Sequence, residues 1–394
     1  MKILINDYCG HPFQFDLSVE LANRGNKILH MFTSASGGPK SISDNTSSNL
    51  ETVNIDMPDI VKQNFIMRWY QESKYGIMAI KEIKRFSPDI IISANTPLAA
   101  QKQISQYCKD NNIKFIFWLQ DIISIAAKSI LTRKFGMLGK IIGEVFKSIE
   151  RNILKRSDHI IIISDDYVNT ISNWGIMRGK STVIPNWSPI EQISVLPKVN
   201  TFSRQHNIED KFVILYSGTM GMKHNPYIIS KAAKKLLNHT DIIFLVITDG
   251  MGMDILKEEK EALKLDNLLL LPFQSFDKFP KVLASANILL TLLEKDAGVY
   301  SVPSKVWSGY CAGRTSLLVV PEKNLAAKRT KAINAGIVVP NDESNKLNEK
   351  ILYLKNNPAL CNVYGQNARN FAEDNFKIDK IADRFEIIVN NLYV

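Results

Sequence analysis

The chain has 394 residues, 45% of them hydrophobic and 22% charged, and Lys plus Arg exceed Asp plus Glu by 49 − 39 = +10. A chain of this length outgrows one ordinary core and predicts two domains of roughly 150–200 residues each, and its hydrophobic content excludes a disordered protein. The basic surplus points to anionic partners; no nucleic-acid-binding motif accompanies it, so phosphate-bearing ligands and an anionic lipid leaflet fit better than DNA or RNA. Cys9, Cys108, Cys311 and Cys361 are scattered, with neither a C-x-x-C pair nor a zinc spacing, and read as reduced thiols of a cytoplasmic protein without a metal site. The longest apolar runs, such as 160–163 and 268–271, fall far short of the roughly 20 residues that span a bilayer. The opening MKILIND reads as a first strand rather than a leader.

Taken in order, KILIN (2–6), a loop to Phe13, a helical run over 14–24 closed by Gly25, and a second strand over 28–32 open a doubly wound α/β domain. Ligands of such domains gather at the carboxyl ends of the strands. Gly10 stands alone in the first loop, so the glycine fingerprint of a dinucleotide fold is absent and an NAD enzyme loses its support. His11, beside Pro12, is either a surface turn residue or a group facing the ligand. The SASGGP run (34–39) is either a loop at the ligand edge or a plain turn.

Segments 88–95 and 114–121 read as buried parallel strands. Asp121 closes the second at the ligand edge, as a helix cap or as a residue that reaches the reacting groups. Segments 61–86 and 122–156 are the least regular part of this half. The second carries Lys128, Arg133, Lys134, Lys140, Lys147, Arg151, Lys155 and Arg156 among apolar residues, opposed only by Glu144 and Glu150. That pattern suits an interfacial helix on an anionic bilayer, and equally an amphipathic helix packed on its own sheet. A strand over 160–163 then leads to Ser164, a helix cap followed by Asp165 and Asp166, to which no chemistry is assigned.

After a polar linker over 188–208, a second α/β unit begins with a strand at 212–216, the loop SGTMGMKHNP (217–226) and a helix over 227–237. Gly218 and Gly221 let backbone N–H groups approach an anion, and Lys223 and His224 supply charge and a donor. Strands follow at 242–247 and 267–271, the latter ending near Phe273. In TLLEKDAGVYSVPSKVWSGYCAGR (291–314) a strand breaks into a small-residue loop and meets Pro303. Ser304 can cap the helix that follows, which predicts free N–H groups near 301–305 beside Lys305, an arrangement suited to a diphosphate. Two phosphate-type loops on one ligand edge make a stronger case than either alone.

DAGVYSVPSKVWSGYCAGR resembles the donor-site segment of bacterial glycosyltransferases of family four, in particular the branch that builds O-antigen and colanic-acid-type polysaccharides. With DYCGHPFQFDLSVELANRG near the start, IPNW at 184–187 and the tail from 335, the resemblance covers nearly the whole chain. It implies an α/β GT-B fold: two Rossmann-like doubly wound parallel-sheet domains facing a central cleft, 1–197 on the acceptor side with 377–394 returning to it, and 198–376 holding the nucleotide sugar. It also implies retaining transfer of a hexosyl or 6-deoxyhexosaminyl group from a nucleotide-diphosphate sugar, UDP favoured over GDP. The acceptor would be a lipid-linked oligosaccharide at the inner face of the plasma membrane.

On this resemblance Asp121, His11 and Glu294 carry catalytic roles, while Gly218, Thr219, Lys223, His224, Tyr300, Ser301, Ser304 and Lys305 hold the donor and Phe273 meets its base. The chain departs from the family at the usual Glu-x7-Glu pair, which falls on Tyr300 and Ser308, leaving Glu294 or Asp296 to offer a carboxylate. Thr219 stands near the usual Arg. No Asp-x-Asp motif occurs, so no metal or cofactor is assigned and protein cations must neutralise the leaving diphosphate. Two other classes fit the same features: a nucleotide-sugar epimerase of the same fold, and a non-catalytic subunit that binds nucleotide sugar or membrane.

Overall fold

The computed structural model describes residues 1–36, 47–60, 64–94, 96–221, 223–299 and 301–393, and the chain divides into two compact units, one built from 1–186 with the C-terminal segment from Ile378, the other from Trp187–Lys377. The first unit contains β1 (Lys2–Asp7), β2 (Lys27–Phe32), β3 (Leu50–Asn54), β4 (Ile90–Ala94), β5 (Lys114–Leu119), β6 (His159–Ile162) and β7 (Ser181–Val183). These strands lie in the order β3-β2-β1-β4-β5-β6-β7, all parallel. Central strands such as β4 are buried along their whole length, as unbroken Ile runs require of a sheet covered on both faces. The polar edge strand β3 is absent from the sequence reading because LETVN carries no alternating apolar face.

Four helices of this unit matter below: α1 (Pro12–Asn23), α2 (Phe65–Phe86), α3 (Leu98–Asp110) and α4 (Ile123–Arg156). Pro12 occupies the first turn of α1, where its missing N–H costs nothing. Asn64 caps α2 by accepting from the N–H groups of Ile66 and Met67, both at 3.1 Å.

The segment 122–156 is not one continuous amphipathic helix. Gly136 takes φ 56° and ψ −129°, a conformation open to glycine, and folds α4 into two halves. The halves run back against each other so closely that a Cβ on Gly139 would stand 1.9 Å from the Leu131 carbonyl oxygen. Lys128 pairs with Glu144 across this hairpin. The ring of Phe146, on its second half, meets Trp69 of α2 with centroids 5.3 Å apart.

The second unit contains β8 (Phe212–Ser217), β9 (Ile242–Ile247), β10 (Leu268–Leu271), β11 (Ile288–Leu292), β12 (Thr315–Val319) and β13 (Gly336–Val339), in the parallel order β10-β9-β8-β11-β12-β13. Its core joins Ile214, Phe244, Leu290 and Leu317 from four adjacent strands. The expected boundary at 197/198 lies instead at 186/187. The reason is a set of bonds that stitch the intervening segment to the second unit: Arg369 Nη1 donates to the Ile193 carbonyl at 3.0 Å and Arg314 Nη2 to that of Leu196 at 2.6 Å. The C-terminal helix Ile378–Asn391 belongs to the first unit, where Phe385 packs on Trp118 with centroids 4.9 Å apart and Arg24 Nη1 pairs with Asp383 and Glu386.

Candidate functional site

In each sheet the strand order reverses at one place, between β1 and β4 in the first unit and between β8 and β11 in the second. Loops leaving neighbouring strands in opposite directions open a crevice there, so these are the places where such folds bind ligands. The candidate residues from sequence divide between the two.

At the second switch point the loops behind β8 and β11 are bonded to each other. The Glu294 N–H donates to the Lys223 carbonyl at 2.8 Å, Lys223 Nζ donates to Ser301 Oγ at 2.9 Å, and Asn324 Nδ2 holds the Ser301 carbonyl at 2.8 Å. Residues far apart in sequence, Lys223, Glu294 and Ser301, therefore form one surface. Gly218 has φ 120°, and a Cβ there would lie 3.2 Å from both Cε and Nζ of Lys305. The bare glycine backbone is what leaves room for the lysine.

Lys305 is the unusual member of this set. Part of the residue reaches solvent, but its Nζ is buried and has no hydrogen-bond partner among the described residues. The ammonium sits 3.6 Å from the centroid of the Tyr216 ring. Burial pushes its pKa down to about 7. A desolvated cation over a ring gains roughly 2 kcal/mol, less than the several kcal/mol it costs to bury an ion. The pocket therefore holds an amine short of an anionic partner.

His224 differs from the expectation of a charged neighbour. Burial and the positive charge of Lys305 and Lys223 push its imidazole down to about 3. Its Nδ1 accepts from the Gly221 N–H at 3.2 Å, so the neutral ring carries its proton on Nε2. It is a donor, not a cation.

Two details of the 301–305 loop also differ. The Ser301 N–H is taken by the Ala297 carbonyl at 3.1 Å, and Ser304 occupies the N-cap position of the helix Lys305–Cys311 without a side-chain cap bond. The Ser301 amide is therefore engaged within the loop, while the N–H groups of Ser304 and Lys305 have no backbone acceptor among the described residues. Thr219 has an exposed side chain, and its carbonyl accepts from the Tyr216 hydroxyl at 3.0 Å. Phe273 is 45% exposed just beyond β10, where a core phenylalanine would be buried. Glu294 is half-buried. Tyr300 lies outside the described residues. Ser308, at the position of the second missing glutamate, has its Oγ 3.0 Å from that of Ser188.

The first switch point is matched internally. The buried Asp7 carboxylate, at the end of β1, accepts from the N–H groups of Cys9 and His11 and stands 3.3 Å from His11 Nδ1. This geometry fixes the His11 tautomer with its proton on Nδ1. Beside it the buried Asn6 donates to Ser93 Oγ and Thr96 Oγ1, both at 2.9 Å, and accepts from the Tyr75 hydroxyl at 2.6 Å. At the end of β5, Asp121 does not cap α4. That place is filled by the buried Glu150, from the far half of the hairpin, which accepts from Ile123 N at 3.0 Å, Ser124 N at 3.1 Å and Ser124 Oγ at 2.6 Å. Burial raises Glu150 to about 7, with these three bonds opposing the rise and Asp121 adding to it.

Sequence reasoning missed Asp7, Glu150 and Tyr216. Asp7 could have been flagged on the same ground as Asp121, an acid closing an apolar strand. Glu150 could have been flagged as one of two acids in a basic run. Nothing in the sequence alone marks Tyr216 as the seat of a lysine from a different loop. Among the described residues no group of three or more His, Cys, Asp or Glu side chains gathers as a metal site would.

Residues 14–192 match the sequence profile of Glycosyltransferase Family 4. That stretch covers most of the first unit. A protein of Escherichia coli (strain K12) named as the colanic acid biosynthesis glycosyl transferase WcaI is 24% identical over 238 residues, 60% of this chain and 58% of its own length, so the match spans little more than half of that relative. Among solved structures, the sucrose-phosphate synthase of Thermosynechococcus elongatus aligns over 100% of this chain and 99% of its own, at TM-score 0.78 and 12% identity. Anabaena HepE, solved with UDP and glucose, aligns over 99% and 100% at TM-score 0.74 and 14% identity. WaaG, a glycosyltransferase of lipopolysaccharide biosynthesis, aligns over 97% and 98% at TM-score 0.70 and 14% identity. The fold is GT-B, with seven and six parallel strands in its two Rossmann-like units.

Proposed function

We propose that the protein is a retaining glycosyltransferase that uses a nucleoside-diphosphate sugar, with UDP as the favoured nucleotide, to extend a lipid-linked oligosaccharide in cell-surface polysaccharide synthesis. The observation that carries this reading is the Lys305 amine, buried beside Gly218 without an acidic partner among the described residues and joined by Lys223 on the neighbouring loop. An anion with two adjacent charged groups completes such a pocket, and a diphosphate brings them in one ligand. The co-complex of HepE with UDP and the naming of WcaI and WaaG for polysaccharide and lipopolysaccharide synthesis support the donor and pathway class.

In the reaction the bond from the anomeric carbon to the β-phosphate oxygen breaks as the acceptor hydroxyl attacks from the same face, and the departing phosphate oxygen takes the hydroxyl proton. Lys305 and Lys223 offset the charge that grows on the leaving diphosphate, the role a metal ion fills elsewhere. His224, neutral, donates from Nε2. Phe273 offers an exposed ring to the base, while Ser301, Ser304 and Thr219 line the donor side. Glu294 is assigned to the sugar hydroxyls in place of the missing pair. Asp121 and His11 are assigned to the acceptor. The thermal shift produced by UDP, GDP, ADP and NAD in EDTA tests the donor reading: stabilisation by one nucleoside diphosphate and none by NAD is expected. Release of that nucleotide only when a lipid-linked acceptor is added distinguishes transfer from epimerisation and from mere binding.

A bilayer-borne acceptor is supported by the joint face of α2 and the α4 hairpin. Met137 (81% exposed), Leu138 and Ile141 stand in solvent in the same stretch of the hairpin as the exposed Arg133, Lys134 and Lys140, and Ile66 (85%) is exposed at the start of α2; apolar and basic side chains of this kind are what an anionic leaflet attracts. No helix of the described residues is long and apolar enough to cross a membrane. Co-sedimentation with phosphatidylglycerol vesicles at low salt, weakened by Met137→Ser with Leu138→Ser, is the expected behaviour; equal sedimentation of wild type and variant would remove the hairpin from the account.

A further inference from the structure

The environment of Lys305 has a consequence for how its ligand is bound. Nζ is buried, unpartnered among the described residues and 3.6 Å from the Tyr216 ring centroid, with Gly218 closing over it. The groups that face this amine are the Tyr216 ring from β8 and, from the loop behind β8, Lys223 and the buried, neutral His224. From the β11 side, Glu294 is bonded to this loop through its backbone N–H, and among the described residues no carboxylate offsets the burial of Lys305. A ring face returns less than the burial of an ammonium costs, so the empty pocket favours the neutral amine. A diphosphate beside the same nitrogen reverses the preference, because a nearby anion stabilises the charged form.

We propose that the donor pocket takes up one proton from solvent, at Lys305 Nζ, when the diphosphate enters and returns it when the nucleoside diphosphate leaves. Tyr216 is the positioning residue of this device: its ring holds the amine against Gly218 while the site is empty. The inference rests on the diphosphate reading and adds to it a direction. Donor affinity falls as pH rises above neutral, although the diphosphate diester of a nucleotide sugar keeps a constant charge over that range. The 301–305 loop then serves as a seat whose charge is set by its occupant.

Isothermal titration of the full-length protein with UDP-glucose at pH 8, in buffers of different ionisation enthalpy, reads the proton directly. Wild type is expected to take up about one proton per site, and Lys305→Arg, whose guanidinium stays charged, is expected to bind with no dependence on buffer. Binding without buffer dependence in wild type overturns the proposal, and so does uptake that survives in Lys305→Arg, which would assign the proton to His224. Tyr216→Leu is expected to reduce the uptake while Tyr216→Phe retains it; equal uptake in both removes Tyr216 from the device. If neither UDP-glucose nor any nucleoside diphosphate binds, the diphosphate reading fails separately. The proton-titration difference between ligand-free wild type and Lys305→Met then decides the empty pocket: loss of a proton near neutral pH supports the neutral amine, and a flat difference from pH 6 to 9 overturns it.

Discussion

The two switch points of this molecule are built from the same fold element and finished in opposite ways. In the first unit Asp7, Asn6 and Glu150 are buried polar groups whose bonds go to groups of the same unit: to His11, to Ser93 and Thr96, and to Ser124. In the second, the Lys305 nitrogen is buried with an aromatic face and no acceptor among the described residues. A self-matched site is already organised and can orient an incoming group. A site built around an amine without an acceptor is organised only when an anion completes it. The difference assigns geometry to the first unit and charge to the second.

The largest effect expected from breaking this contrast is on stability. The folded pKa of Lys305, about 7, lies below the value of 10.5 for an unburied lysine. A depressed lysine contributes no penalty above pH 10.5, and the penalty grows until it is complete below about pH 7. Part of the residue touches solvent, so this penalty is discounted to about 2–4 kcal/mol. Lys305→Met should therefore stabilise the ligand-free protein at pH 6, with the gain shrinking as pH rises through 7 to 10 in denaturant titrations. A gain that does not vary with pH would show that the amine is charged throughout.

Glu150→Ala should have the opposite sign and similar size. It leaves two N–H groups and the Ser124 hydroxyl without their buried acceptor, at a cost of about 2–4 kcal/mol in unfolding free energy. Glu150→Gln, which keeps an acceptor oxygen, should lose less. Equal loss would mean that the carboxylate is valued for its packing and not for its bonds.

Smaller effects sharpen the division of roles. Lys305→Ala and Lys223→Ala should each weaken the donor KM or lower kcat by about 1.5–3 kcal/mol, as lost charge-assisted hydrogen bonds do. Gly218→Ala should approach the Lys305→Ala value, since its Cβ would stand 3.2 Å from the Lys305 amine at a φ of 120°. Asp121→Asn should lower turnover by about 10- to 100-fold, within the range of a lost acid–base group, with donor binding little changed. If Asp121→Asn weakens donor binding and spares turnover, the assignment of geometry to the first unit and charge to the second is wrong.

Much of this was legible in the sequence, because both sheets are made of apolar runs ending in polar loops. The runs 2–6, 114–121, 212–216 and 242–247 each contain or nearly match an observed strand. The doubly wound order then brings the β8 and β11 loops together, which is why Gly218 and Lys305 could be paired across a long stretch of chain. What was not legible depends on contacts between distant side chains. The hairpin at Gly136 hides in a run whose spacing is helical on both sides of one glycine. The capping of α4 by Glu150 needs that hairpin to exist. The neutrality of His224 and the state of Lys305 follow from burial and neighbours that no local pattern encodes.

The central claim is that the second switch point is a nucleoside-diphosphate seat completed by its ligand. Isothermal titration of UDP in EDTA at pH 7, comparing wild type with Lys305→Met, tests it most directly. Measurable binding by wild type, weakened at least about tenfold by the variant, a difference of about 1.4 kcal/mol, is the predicted result. Equal affinity in the two proteins would contradict it, and would leave the Lys305 amine as a buried charge with no ligand to meet.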